Sequence, residues 1–359
     1  MIASVLPLLV LAAPPSELTV VVSGDVTLGY HYEEYVTEKK KDLGWGFEKV
    51  GALTKKADLF VVNLECPFTD RGEKIAKNFN FRAKPELVAA LVAGGVDVAS
   101  LANNHMIDYG PEGLFDTINT LDTHGIVHFG AARTLAEART PAIVEKNGVK
   151  IAFLGYFFLG DRNIEPPAVI ATPEQPGVAG HFSDTKALIA MLDADIRAAK
   201  QQADVVIPFF HWGRESKGQP EPYQVEVGHA AVEAGAAMVL GSHPHVLQGL
   251  EVYKGVTIAY SLGNFVFGGN WDPKDKRTAL LELKVTKAGI KSVKVIPAYS
   301  DAFPDVPVQP YLAEGEKADA VMAHLAELSQ GFPATTPQIQ QAIKNLKPAP
   351  ESASPDAGL

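Results

Sequence analysis

"AMVLGSHPHV", residues 237–246, is an apolar run that ends abruptly in polar residues. Its length and composition are those of a buried strand. His243 and His245 follow the run, with Pro244 between them. A proline disfavours the helical region for the residue before it, so His243 is expected in extended backbone. In an extended segment, residues two apart share a face. Both imidazoles are therefore expected on one side of a strand end, either as a pair of metal ligands or as a polar loop between strands.

The pattern recurs elsewhere. "LTVVVSGDVTLG" (18–29) reads as a strand that ends at Asp25, and "ADLFVVNLECPFT" (57–69) as one that ends at Glu65. "VDVASLANNH" (96–105) ends at Asn104 and His105, and "DVVIPFFHWG" (204–213) at His211. In α/β sheets, binding sites form where the loops converge beyond the carboxyl ends of the strands. Taken singly, each residue has a local alternative. Asp25 can shape a turn, Asn104 can cap a helix, His211 can be a satisfied histidine beside Trp212, and His105 can lie on the surface. Five strands ending alike are what a single centre would produce.

Helical patterns separate the strands: "PELVAALVAGG" (85–95), "GPEGLFDTINTLDTHG" (110–125), "DTKALIAMLDADIRAAKQQA" (184–203) and "QVEVGHAAVEAGA" (224–236). The first two start at a Pro, and most stop at Gly. Hairpins are expected at Asn147-Gly148 and near Lys254-Gly255, and a third around the glycine of "KVTKAGIKSVKV" (284–295). Strands alternating with helices, plus antiparallel hairpins, predict an α/β fold arranged as a layered sandwich. The chain divides into 16–300 as one catalytic-type domain, 301–345 as a C-terminal helical appendage and 346–359 as a disordered tail. The apolar run "VLPLLVLAA" (5–13) is too short for a membrane anchor and marks 1–15 as a secretory signal, although a charged start is missing. That predicts a secreted, periplasmic or envelope protein; the alternative is a cytoplasmic chain with an apolar start.

The net charge of −10, with no basic block, argues against nucleic acid as a partner. A single cysteine, Cys66, rules out an intrachain disulfide and a cysteine-built zinc or iron–sulfur site. Imidazole, carboxylate and amide oxygen without sulfur form a donor set for two divalent cations such as Mn, Fe, Zn, Co or Mg. Glu65 is the candidate to bridge them. Two such cations can clamp the attacking and leaving oxygens of a phosphoester. His105 can then supply the proton to the leaving group. Asp108 can orient His105, or it can simply belong to a helix-entry turn.

Seven stretches, "GDVTLG", "VVNLECPFT", "FRAKPELVAAL", "SLANNHMIDYGPEGLFDT", "HWGRE", "AGAAMVLGSHPHVLQGLEVYKG" and "YSLGNFVF", run in this order over roughly residues 20–285. Together they resemble the bacterial capsule-synthesis CapA family associated with poly-γ-glutamate, within the calcineurin-like metallophosphoesterase superfamily. The resemblance implies a four-layer α/β/β/α sandwich. It implies Asp25 and His245 at one metal, Asn104, His211 and His243 at the other, and Glu65 in place of the usual bridging Asp. His105 matches the histidine of a Gly-Asn-His motif, with Asn103 replacing the Gly. Thr27 stands where the superfamily has a further histidine ligand, which puts the first metal in doubt. Arg82, Asn103, Trp212, Glu215 and Asn264 lie in the same motifs and are candidates to touch substrate. Arg82 in particular offers a bidentate fork to a carboxylate or phosphate.

Three functions fit. The first is a metal-dependent phosphoester hydrolase in capsule or exopolymer synthesis. The second is a non-catalytic scaffold that holds an anionic polymer through a degenerate metal site, alongside membrane partners of capsule synthesis. The third is a hydrolase of amide or γ-glutamyl bonds.

Overall fold

In the computed structural model, which describes residues 17–269, 272–301 and 308–346, the predicted strands assemble into two large sheets and one small one. The first sheet runs in the order β16 (Tyr311–Leu312), β15 (Gly289–Tyr299), β14 (Arg277–Thr286), β1 (Leu18–Thr27), β2 (Leu59–Leu64), β3 (Val98–Ser100) and β4 (Val127–Phe129). β13 (Asn264–Phe267) adds to β1 beyond the point where β14 leaves it. The second sheet runs β11 (Leu250–Tyr253), β12 (Val256–Ala259), β10 (Val239–Ser242), β9 (Val205–Trp212), β7 (Val149–Phe158) and β6 (Ala142–Lys146). β5 (Ala131–Ala132) and β8 (Gly177–Val178) form the small pair. The centre of each large sheet is parallel, and the hairpin strands join at its edges as antiparallel additions.

Side-chain alternation sorts the layers. Val20 and Val22 of β1 meet Ile207, Phe209 and Leu240 of the other sheet in an interior shared by both. Val21 of β1 and Phe60 and Val62 of β2 face the opposite way, onto Leu91, Leu114 and Leu121 of the helices Val88–Gly94 and Gly110–Thr123. Val206, Phe210 and Trp212 of β9 face the helices Thr185–Ala199 and Pro222–Ala234 through Leu188, Leu192 and Val227. Helix, sheet, sheet, helix is the four-layer sandwich. The period of two along β9 has a direct consequence: His211 points into the space between the sheets, and Trp212 points away from it.

The turns follow their residues. Asn147 and Gly148 both have positive φ (51° and 77°), as do Lys254 and Gly255 (48° and 81°), the conformation that suits a two-residue hairpin. The helix Thr185–Ala199 is capped by Asp184, whose side chain accepts from the Ala187 N–H. The C-terminal helices, Gly315–Ser329 and Pro337–Asn345, are built into the core and not appended to it. Val321, Leu325 and Ile339 are fully buried in the interior between the sheets. Gln338 bonds both backbone groups of Val295 on the first sheet, while Thr335 and Ser329 bond the backbone of Leu250 on the second. They therefore close one end of the sandwich. The expected signal segment 1–15 and all of the expected tail past residue 346 lie outside the described residues. Among the described residues, no helix is long and apolar enough to cross a membrane.

Candidate metal centre

Parallel strands deliver their carboxyl ends to one place. β1, β2 and β3 bring Asp25, Glu65 and the 103–105 segment; β9 and β10 bring His211 and His243 across from the other sheet. Gly24 makes the first delivery possible. Asp25 N–H donates to the Gly263 carbonyl at 3.0 Å, and a Cβ on Gly24 would sit 1.8 Å from that same oxygen.

Glu65 is the focus. Its side chain is fully buried, and neither carboxylate oxygen has a hydrogen-bond partner. Three imidazole Nε2 atoms surround Oε1: His211 at 3.6 Å, His245 at 3.7 Å and His105 at 3.9 Å. His245 Nδ1 lies 3.5 Å from Asp25 Oδ2. His211 Nε2 lies 2.9 Å from Asn104 Oδ1 and 3.0 Å from His243 Nδ1. Two groups of candidate ligands share Glu65: Asp25, Glu65 and His211, and Glu65, His243 and His245, each with ligand atoms within 4.8 Å of one another. They cut across the division into Asp25–His245 and Asn104–His211–His243 that the resemblance implies.

The electrostatics ask for a cation. Burial, and then the nearby Asp25 charge, push the Glu65 carboxyl well above its ordinary value. Burial, and then the neighbouring histidines, hold His211 and His243 well below the usual imidazole value, which keeps them in the neutral form a metal requires. Burial also works against a charge on His245, but Glu65 and Asp25 outweigh it and lift the ring to about 10. Carboxylates that draw a proton onto a neighbouring ring attract cations. Orphaned carboxylate oxygens, neutral imidazoles and an amide oxygen, with separations from 2.9 to 3.9 Å, fit a divalent ion with ligand bonds of about 2.1 Å.

The histidine pair reaches this position by another backbone route than the extended one. His243 has φ 96° and His245 φ 57°, so both residues occupy the left-handed side that non-glycine residues avoid. Pro244 does not lay the two out as a flat strand. The turn is held by His243 N–H donating to Asp25 Oδ2 (3.3 Å) and by the Pro244 carbonyl accepting from Ser216 N–H (2.9 Å). Strain of this kind survives where surrounding contacts over-determine the turn.

His105 faces the centre from the side. Its Nδ1 lies 2.6 Å from Asp108 Oδ2, so Nε2 is left towards Glu65, and Phe81 stacks on the ring at 3.9 Å. Burial and the Lys77 charge keep His105 well below its ordinary value, while burial lifts Asp108 to about 7 against the pull of Lys77. A cleft of about 800 Å³ opens over His105, Asn104 and His243, with Arg162, Arg214 and Glu215 on its walls.

The substrate candidates divide. Glu215 lines the cleft. Arg82 is exposed and lies over the Tyr109 ring, at 4.5 Å, outside the lining. Trp212 is a correction: it is fully buried in the outer core, stacked on Phe210, with its N–H on the Tyr260 carbonyl. Asn103 is another correction. Fully buried, it braces Asn63 and Leu64 through its amide and the His105 N–H through its oxygen. Asn264 is buried with Oδ1 2.9 Å from His245 Nδ1, so it orients a candidate ligand. Thr27 donates its hydroxyl to the Glu65 carbonyl (3.1 Å), which ties β1 to β2.

Asn63 was not singled out from the sequence. Its amide lies 2.8 Å from Asp25 Oδ1 and 3.2 Å from His211 Nδ1, fixing candidate ligands from both sheets. The available signal was a lone amide inside the fully buried run "LFVVNL". Lys77 and Glu165 carry no such signal. Both come from irregular stretches in which no periodicity exists to be read.

Residues 19–269 match the family model described as "Bacterial capsule synthesis protein PGA_cap". The chain belongs to that family, a metallophosphoesterase-like group. It is 35% identical over 285 residues to "Capsule biosynthesis protein CapA" of Bacillus anthracis, covering 78% of this chain and 67% of that one. It is 33% identical over 277 residues to "PGA biosynthesis protein CapA" of Bacillus subtilis, covering 76% and 69%. A probable polyglutamine synthesis accessory protein of Mycobacterium tuberculosis is 32% identical over 225 residues, covering 62% of this chain and 59% of its own.

Proposed function

We propose that this PGA_cap protein is a metal-dependent hydrolase that acts on a phosphoester during synthesis of poly-γ-glutamate or a related anionic capsule polymer. The observation that carries the chemistry is Glu65, a fully buried carboxylate with both oxygens unpartnered among imidazoles. The pathway is carried by the names of its relatives. Asp25, Glu65, Asn104, His211, His243 and His245 would hold two divalent cations, which supply charge stabilisation and an activated nucleophile when bound. Asn63 and Asn264 set the direction of His211 and His245. Asp108 fixes His105 by Nδ1, so Nε2 is the atom at which a proton passes to the leaving oxygen. The negative charge of a phosphoester beside Nε2 favours the protonated ring that this step needs. Export to the cell envelope, with membrane partners of capsule synthesis, belongs to the same reading and rests on the apolar run at 5–13.

The scaffold reading has one observation of its own: the Thr27 hydroxyl is committed to a backbone carbonyl, so it brings no ligand to the Asp25 side. The deciding experiment is metal analysis of the purified protein. It is followed by assays with Mn²⁺ on a phosphomonoester, a phosphodiester and a γ-glutamyl anilide. Turnover of a phosphoester supports the proposal. Metal binding without turnover selects the scaffold, and turnover of the anilide alone selects the amide hydrolase.

A further inference from the structure

Outside the family motifs, one buried cluster reaches the centre without contributing a ligand to it. Lys77 lies in the irregular stretch after β2, and Glu165 in the segment after β7. The Lys77 side chain is only 5% exposed; its ammonium donates to the Asn104 carbonyl at 2.8 Å and forms ion pairs with Glu165 Oε2 at 2.8 Å and Asp108 Oδ1 at 3.0 Å. Glu165 Oε1 accepts from Asn104 Nδ2 at 3.0 Å. The Glu165 backbone N–H is tied in turn to Asn163 Oδ1 at 2.9 Å.

An asparagine amide offers an oxygen that can ligate a metal and a nitrogen that cannot. The two ends are nearly identical in shape, so something must choose between them. A carboxylate beside the nitrogen makes that choice, because it accepts N–H and repels a carbonyl oxygen. With Nδ2 held by Glu165, Asn104 Oδ1 faces His211 Nε2 and the centre. Lys77 holds the same residue by its backbone carbonyl and pairs with the Glu165 carboxylate.

We infer that Glu165 and Lys77 are positioning residues for the metal centre. Glu165 selects the oxygen of Asn104 as the ligand atom, and Lys77 locks that arrangement while bracing Asp108 behind His105. The inference rests on the metal reading proposed above. Leu159, Asp161 and Arg162 of the same segment line the cleft beside Glu165.

The test is Mn²⁺ affinity, measured by calorimetry on the full chain, alongside the melting temperature without metal. Glu165→Ala should weaken Mn²⁺ binding about 10- to 100-fold, the usual loss when a partner behind a ligand is removed. Glu165→Gln keeps an acceptor for Asn104 Nδ2 but can also donate to its oxygen, so it should recover only part of that loss. Lys77→Met should weaken binding as well, and Lys77→Arg should restore part of it. A role in folding alone would lower the melting temperature of Glu165→Ala and leave its Mn²⁺ affinity at the wild-type value. That result overturns the inference while the metal reading stands. Wild-type protein that binds no Mn²⁺ overturns both.

Discussion

At the scale of single residues the centre depends on one carboxyl group without a hydrogen bond. Glu65 has no hydrogen bonds to lose, so Glu65→Gln should matter far more with metal than without it. Without metal, burial already holds the carboxyl towards its protonated form, so the neutral amide should change stability by no more than about 1 kcal/mol, roughly 2 °C in melting temperature. With Mn²⁺, the ligand-dependent rise in melting temperature should disappear. Scanning calorimetry of both proteins, with and without Mn²⁺, checks this; a variant that keeps the wild-type Mn²⁺-dependent rise contradicts it. His105→Ala should reduce phosphoester turnover about 10²- to 10⁴-fold, as removal of a proton-transferring group does, with Mn²⁺ affinity little changed. Steady-state kinetics beside metal titration separates the two effects. The six candidate ligands were readable from sequence because each ends an apolar run, where polarity has no packing purpose. Asn63 was not, since it sits inside a run, and neither were Lys77 and Glu165, since loops carry no period to break. The backbone at His243 and His245 was misread because the rule for a residue before proline weighs local sterics alone. Here the contacts of Asp25 and Ser216 with the turn override it.

At the scale of elements the delivery of ligands depends on close backbone approaches. A methyl on Gly24 would lie 1.8 Å from the Gly263 carbonyl oxygen, and all three atoms nearest to it are backbone, so none can turn aside. Gly24→Ala should therefore separate β1 from the loop before β13, move Asp25 and cost both stability and Mn²⁺ affinity; chemical denaturation and metal titration report the two losses. Helices and hairpins were readable because turns and caps are local. The place of the last two helices was not, because an apolar helix face does not say what it will cover. Leu325→Ala tests that place: as a fully buried member of the interior between the sheets, it should cost about 2–5 kcal/mol. An appended helix would lose far less, and denaturant midpoints distinguish the outcomes.

At the scale of the whole molecule two sheets from different parts of the chain meet with their strand ends together, and the centre exists only where they meet. Cys66 reports on that closure. It is fully buried after β2, its sulfur accepts the Leu28 N–H at 3.3 Å, and burial pushes its thiol up to about 12. It should stay unlabelled by a thiol reagent while the sandwich is closed and react as one thiol per chain in denaturant. The central claim is that a cation sits between the sheets on Glu65. Anomalous diffraction at the manganese edge, from crystals grown with Mn²⁺, tests this most directly. Density bonded to Glu65, His211 and His243, with Asn104 joining through its oxygen, is the expected result. Manganese density absent from that place, in crystals that hold Mn²⁺ in the surrounding solution, would contradict it.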